Sequence, residues 1–138
     1  MSGNLDTARA FFEACETGMG WDACRPFCHA DAGFSAQSGA LADISSLADY
    51  ADWMRGLLTM LTDGTYELTA LAEDAERDTV VASAIFTGTH DGADGPVPAT
   101  GQTARSDYAY VMRFSDSRVN HMTKIWNDGW ALKQLGWA

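Results

Sequence analysis

Thr103-Ala-Arg-Ser-Asp-Tyr-Ala-Tyr-Val-Met-Arg-Phe-Ser-Asp-Ser-Arg-Val-Asn-His-Met-Thr-Lys-Ile-Trp126 is the stretch on which the fold turns. Thr103 to Phe114 and Val119 to Trp126 are rich in β-branched and aromatic residues, and Ser115-Asp116-Ser117 between them is turn chemistry. The pair therefore reads as two antiparallel strands. Working backwards, Thr65 to Leu71 and Thr79 to Thr89 have the same character and are joined across Asp74 to Asp78, so four strands follow one another as a meander. The Gly- and Pro-rich segment Asp91 to Gly101 is longer than a turn and reads as a loop at the rim. No internal repeat, linker or low-complexity tract interrupts the chain.

Helices precede the strands. Asn4 can cap a helix in which Leu5, Ala8, Phe11, Phe12 and Cys15 recur at helical spacing, and Gly18 and Gly20 stop it. Trp21 to Phe27 reads as a short second helix, and Gly33 to Gln37 as a brief strand. Ser46 with Asp49 forms a capping box ahead of Leu47, Tyr50, Trp53, Met54, Leu57, Leu58 and Leu61, and Asp63-Gly64 ends that helix. The tail from Trp130 to Ala138 predicts one or two helical turns. Helices followed by a meander define an α+β chain of one domain over residues 1–138. An α+β cone, with N-terminal helices packed on a strongly curved antiparallel sheet that encloses a pocket, is one architecture that closes such a sheet over a long amphipathic helix. Trp53, Phe86, Tyr108, Tyr110, Met112 and Trp126 can line such a pocket, or they can simply fill the core.

Composition narrows the function. Nine Lys+Arg against nineteen Asp+Glu give a formal charge of −10. That balance repels phosphate backbones and anionic lipid, so neither nucleic acid nor a membrane is expected as a partner. The N-terminus lacks a basic and apolar leader pattern, and no apolar run approaches the roughly 20 residues that span a bilayer. A soluble, cytoplasmic protein is expected. Cys15, Cys24 and Cys28 are odd in number and read as reduced thiols. Cys24, Cys28 and His29 are too few for a structural zinc site, and Pro26 disturbs the local helix, so no metal is expected.

Phe86-Thr-Gly-Thr-His90, Gly95-Pro-Val-Pro98 with Thr100-Gly101, Val111-Met-Arg-Phe114 and Gln134-Leu-Gly136 resemble, in order and spacing, the motifs of SnoaL-like polyketide cyclases within the nuclear transport factor 2-like superfamily. The ending His121 to Ala138 is similar to that of a bacterial branch of the group, while the N-terminal half resembles the family mainly in its helix pattern. The resemblance implies a cystatin-like roll, a homodimer, and a cofactor-free aldol ring closure or isomerisation on a small hydrophobic ketone. In that chemistry a carboxylate on the last strand moves the proton. Counting back from Gln134, however, Asn127 stands where such cyclases carry their catalytic Asp, and an amide cannot take up a proton at neutral pH.

Asp128, Asp107 and His121 are the candidate replacements. Strand parity puts His121, Thr123, Ile125 and Asn127 on one face, and Asn120, Met122, Lys124, Trp126 and Asp128 on the other. If the first set faces the pocket, as the resemblance at Asn127 implies, His121 is the best-placed base, since histidine ordinarily titrates near pH 6.5. Asp107 can instead form an ordinary ion pair with Arg113 or Lys124. His90 begins the rim loop, where it either gates the pocket as a ligand-binding residue or merely ends a strand. Both sheet faces carry apolar residues, and a second copy of the chain would cover the outer one. Three classes stay open: an acid–base enzyme, a binding module that holds an apolar ligand without reaction, and an interaction domain whose hollow is plugged.

Overall fold

The structure, a computed structural model, describes residues 3–93 and 95–137. Met1, Ser2, Asp94 of the expected rim loop and Ala138 of the expected tail lie outside the described residues. Helix α1 spans Gly3–Glu16 and buries Ala8, Phe11, Phe12, Cys15 and Glu16. Gly18 ends it in the left-handed region at φ 73°, and a Cβ there would lie 2.7 Å from Leu58 Cδ1. The expected second helix divides at Pro26 into α2, Trp21–Cys24, and a 3₁₀ turn over Arg25–Phe27. Helix α3 spans Leu47–Met60, and its Ser46 cap accepts from the Asp49 backbone N–H at 3.1 Å. A last helix, α4, runs Asp128–Leu135 and stops at Gly136, φ 77°.

Five strands form one sheet: β1 Cys28–Ala36, β2 Thr65–Asp74, β3 Thr79–Thr89, β4 Thr103–Ser115 and β5 Arg118–Trp126, in the order β1-β5-β4-β3-β2. The meander pairs antiparallel throughout, but β1 pairs with β5 in parallel, so the sheet is mixed rather than wholly antiparallel. The chain leaves β1 through α3 to the far edge and returns by the meander, which brings β5 alongside β1 in the same direction. No local pattern encodes that pairing. Register shifts at Cys28/Gly33, Leu68/Ala70 and Arg113/Phe114 add twist and bend, which lets one sheet wrap the helices.

The inner face of β4 presents Ala104, Ser106, Tyr108, Tyr110, Met112 and Phe114, all buried. They meet α1 and α3 through Phe12, Tyr50 and Met54, giving the α+β cone its core. Among the described residues no helix is long and apolar enough to cross a membrane.

Candidate functional site

Between α3, the inner faces of β3 to β5 and α4 lies a narrow hollow of about 40 Å³. Its wall includes Trp53, Phe86, Tyr108 and Trp126, and Leu135 and Trp137 close it from the C-terminal side. Each ordered water takes about 10–15 Å³ on this measure, so the hollow holds a few waters and no more in this state. Besides the aromatic side chains, Glu16, Ser106 and Lys124 bring polar groups to the wall. Ser106 Oγ accepts from Trp126 Nε1 at 3.2 Å, which fixes the indole.

Glu16 is the final residue of α1 and is 1% exposed. Its two carboxylate oxygens accept from the phenols of Tyr108 and Tyr110. Tyr110 and Tyr50 hydroxyls are 3.0 Å apart, and Lys124 Nζ donates to Tyr50 at 2.9 Å. Because the Tyr110 hydrogen goes to Glu16, the Tyr50 hydrogen must go to Tyr110. The donors thus all point one way, from Lys124 through two tyrosines to Glu16.

Lys124 is 5% exposed, and its Nζ lies 4.4 Å from the Trp126 ring centre, 5.1 Å from Tyr50, 5.2 Å from Tyr108 and 5.6 Å from Trp53. Burial pushes its ammonium below the ordinary lysine value, and the charge of Glu16 pulls it partway back. Burial first, then the neighbouring carboxylate, pushes the Tyr50 and Tyr108 phenols well above the ordinary tyrosine value. Burial likewise raises Tyr110, so all three tyrosines are neutral donors at neutral pH.

The register explains why these groups meet. Tyr110 pairs with Lys124 and Tyr108 with Trp126 across β4 and β5, and all four point inward with Met122. The parity implied by the resemblance is therefore reversed: the row that contains Lys124 and Trp126 faces the interior. His121, Thr123 and Ile125 lie on the outer face. There His121 Nε2 meets Ser35 Oγ at 2.9 Å, and Ile125 is 59% exposed.

None of the four candidate catalytic residues lines the hollow. Asp107 is exposed beside an open outer groove, with Lys124 on the opposite face and Arg113 six positions along the strand, about 20 Å away at strand rise. Neither ion pair forms. Asn127 caps α4 by accepting from Trp130 N at 3.2 Å. Asp128 accepts from Ala40 N at 2.8 Å, and that bond holds its carboxyl below the usual carboxylate range.

Of the six candidate binding residues, Trp53, Phe86, Tyr108 and Trp126 meet at the hollow, and Tyr110 sits behind it. His90 does not reach it. Its Nδ1 accepts from Trp137 Nε1 at 2.9 Å and from Thr100 N at 3.3 Å, so His90 joins the rim loop to the C-terminal segment. The three cysteines are buried free thiols, with Cys28 pushed up to about 12 by burial, and His29 Nε2 donates to Ser115 O at 2.6 Å.

The sequence alone gives Glu16, Tyr50 and Lys124 no role at a site, although Glu16 and Lys124 each leave a trace. Glu16 lies four residues after Phe12, on the apolar stripe of α1. Lys124 falls between Met122 and Trp126 in an otherwise apolar row of β5.

A family model described as SnoaL-like polyketide cyclase matches residues 6–135. Comparison with curated proteins finds no match. Among solved structures, AclR from Streptomyces galilaeus, for which a hydroxylase role is suggested, is 21% identical. The match covers 100% of this chain and 87% of that one at a TM-score of 0.79. IdmH from Streptomyces antibioticus, suggested to be a polyketide cyclase, is 22% identical over 96% of this chain and 98% of its own, with a TM-score of 0.75. An NTF2-like protein from Burkholderia thailandensis is 18% identical over 97% and 98%, at 0.76. At these identities the three structures share the fold.

Proposed function

The chain belongs to the SnoaL-like polyketide cyclase family, and from that premise we propose a cofactor-independent acid–base enzyme that enolises a small hydrophobic ketone inside the cone. The observation that carries this reading is Glu16, a carboxylate removed from water and held by two phenols at the wall of an aromatic hollow. A ketone seated against Trp53, Phe86 and Trp126 places its α-carbon near the carboxylate. Tyr108 turns its hydroxyl from Glu16 to the carbonyl oxygen, which frees one carboxylate oxygen to take the α-proton and supplies a donor to the enolate. Attack of the enolate on a second carbonyl closes a ring, and reprotonation at another carbon gives an isomer. His121, Asp107 and Asp128 have no part in this scheme.

The hollow is smaller than the roughly 300–1,000 Å³ of typical ligand sites, so binding requires α4 and Trp137 to move outward. The test is exchange of α-protons of cyclohexanone or a 1,3-diketone in D2O, followed by NMR. Wild type accelerates exchange, and Glu16→Gln lowers it by about 10²- to 10⁴-fold. Unchanged exchange in a folded Glu16→Gln protein defeats the assignment. A second reading, binding without reaction, draws on the fact that both Glu16 oxygens are already engaged, and it predicts ligand uptake with no exchange. On the outer face Val81, Val111 and Ile125 form an apolar patch across β3, β4 and β5, and we assign that face to a second copy of the chain.

A further inference from the structure

Lys124 has no place in the enolisation scheme, yet its position is costly. An ammonium group carries three N–H donors, and among the described residues Lys124 finds a hydrogen bond only at Tyr50, with four aromatic rings around it. The one-way chain of hydrogen bonds offers an alternative. Moving one proton along each link, from Lys124 to Tyr50, Tyr50 to Tyr110 and Tyr110 to Glu16, converts the ion pair into a neutral amine and a carboxylic acid without displacing a heavy atom. Burial works against the ammonium form of Lys124. The transfer leaves an unprotonated Nζ at the wall of the hollow, its lone pair accepting from the Tyr50 hydroxyl until a carbonyl carbon takes that place, with an acid at the far end of the chain.

We propose that Lys124 is a carbonyl-capturing amine, which condenses with a small apolar aldehyde or ketone held in the hollow to give an imine. The inference rests on the hollow being a ligand site, as in the function proposed above, and adds covalent capture to it. The Nζ lone pair forms a bond to the carbonyl carbon while the C=O π bond breaks, and a proton passes from nitrogen to oxygen to give a carbinolamine. Glu16 then returns its proton through Tyr110 and Tyr50 to the hydroxyl. The C–O bond breaks, water leaves, and the nitrogen lone pair completes the C=N bond of an iminium. The carboxylate left behind is the counter-ion of that cation. Atoms and charge balance: amine, carbonyl compound and one proton give iminium and water.

The chain supplies its own reference, because it contains two lysines and the other, Lys133, is exposed. The experiment treats the protein with benzaldehyde and sodium cyanoborohydride at neutral pH, where hydride delivered to the iminium carbon fixes one benzyl group on nitrogen, and maps the label by peptide mass spectrometry. Lys124 is expected to be labelled about tenfold or more faster than Lys133, since only unprotonated amine reacts. Lys124→Met, checked for folding by circular dichroism, loses the fast label and keeps the slow one. Benzyl alcohol, which cannot form an imine, serves as the binding control, read through the indole N–H resonances of Trp53 and Trp126. If it perturbs those resonances and Lys124 is labelled no faster than Lys133, capture is overturned and the ligand site stands. If neither resonance moves and Lys124 stays unlabelled, both readings fall.

Discussion

A double-mutant cycle on Glu16 and Lys124 tests whether the buried chain of hydrogen bonds acts as one unit. Glu16→Gln removes a charged acceptor shared by two phenols. It also leaves the charge of Lys124 without its opposite in the interior. Hydrogen bonds to charged groups contribute about 1.5–3 kcal/mol, and breaking a buried pair costs about 3–5 kcal/mol. Lysine can escape part of that penalty by losing its proton, so the lower end, about 3 kcal/mol, is expected. Lys124→Met keeps the volume but loses the bond to Tyr50 and the ring contacts, while Glu16 retains both phenols. Its cost is about 2 kcal/mol. Independent effects would sum to about 5 kcal/mol, whereas the double variant, with no unpaired charge, should lose less by about 1–3 kcal/mol. Urea unfolding of the four proteins at 25 °C, followed by tryptophan fluorescence, measures each value, and additivity within about 0.5 kcal/mol refutes the coupling. The pH dependence has a fixed sign. The folded pKa of Lys124 is depressed, so between it and the unfolded value near 10.4 the unfolded chain binds more protons and stability rises with pH. Wild type should therefore gain on Lys124→Met as pH is raised from 7 towards 10. The raised tyrosines act oppositely from about pH 10 upward, but they are present in both proteins and largely cancel in the difference.

Two further outcomes separate scaffold from site. Asn127→Ala should cost about 1 kcal/mol by uncapping α4, read as a lower Tm, and leave α-proton exchange unchanged; a collapse of exchange in a folded variant would return Asn127 to the chemistry. Ile125→Lys should convert a dimer to a monomer in sedimentation with a stability change within about 0.5 kcal/mol, because the side chain is 59% exposed in the single chain; a variant that stays dimeric removes the outer face as the contact.

The meander, the capped helix at Ser46 and the α+β class were legible because each depends on near neighbours: a period of two, a cap three residues from its partner, a turn of small polar residues. The parallel pairing of β1 with β5 was not legible, since it joins residues about 90 positions apart, Gly33 with His121 and Phe34 with Met122. Parity on β5 was also determinable only in part. Alternation sorts residues into two rows but does not say which row is inside, and the row containing a lysine looks like the solvent row. The inside row is set by what α1 presents opposite it. Glu16 there makes a buried lysine tolerable, so neither residue can be read without the other.

That mutual dependence carries over to access. The hollow is closed by α4, and the bonds that hold this lid include Thr100 Oγ1 to Leu135 O at 2.7 Å, Arg105 N to Gln134 Oε1 at 2.7 Å and Trp137 Nε1 to His90 Nδ1 at 2.9 Å. At about 1 kcal/mol each, breaking them costs about 3 kcal/mol before any apolar contact is counted, which makes the open form less than about 1% of the population. A ligand that needs the open form then binds at least about a hundredfold more weakly than its contacts alone would allow. The same closure keeps water from Glu16 and Lys124 and so maintains the low polarity that holds the Lys124 ammonium below its ordinary value. His90, expected either to gate the pocket or to end a strand, bonds to Trp137 at this lid.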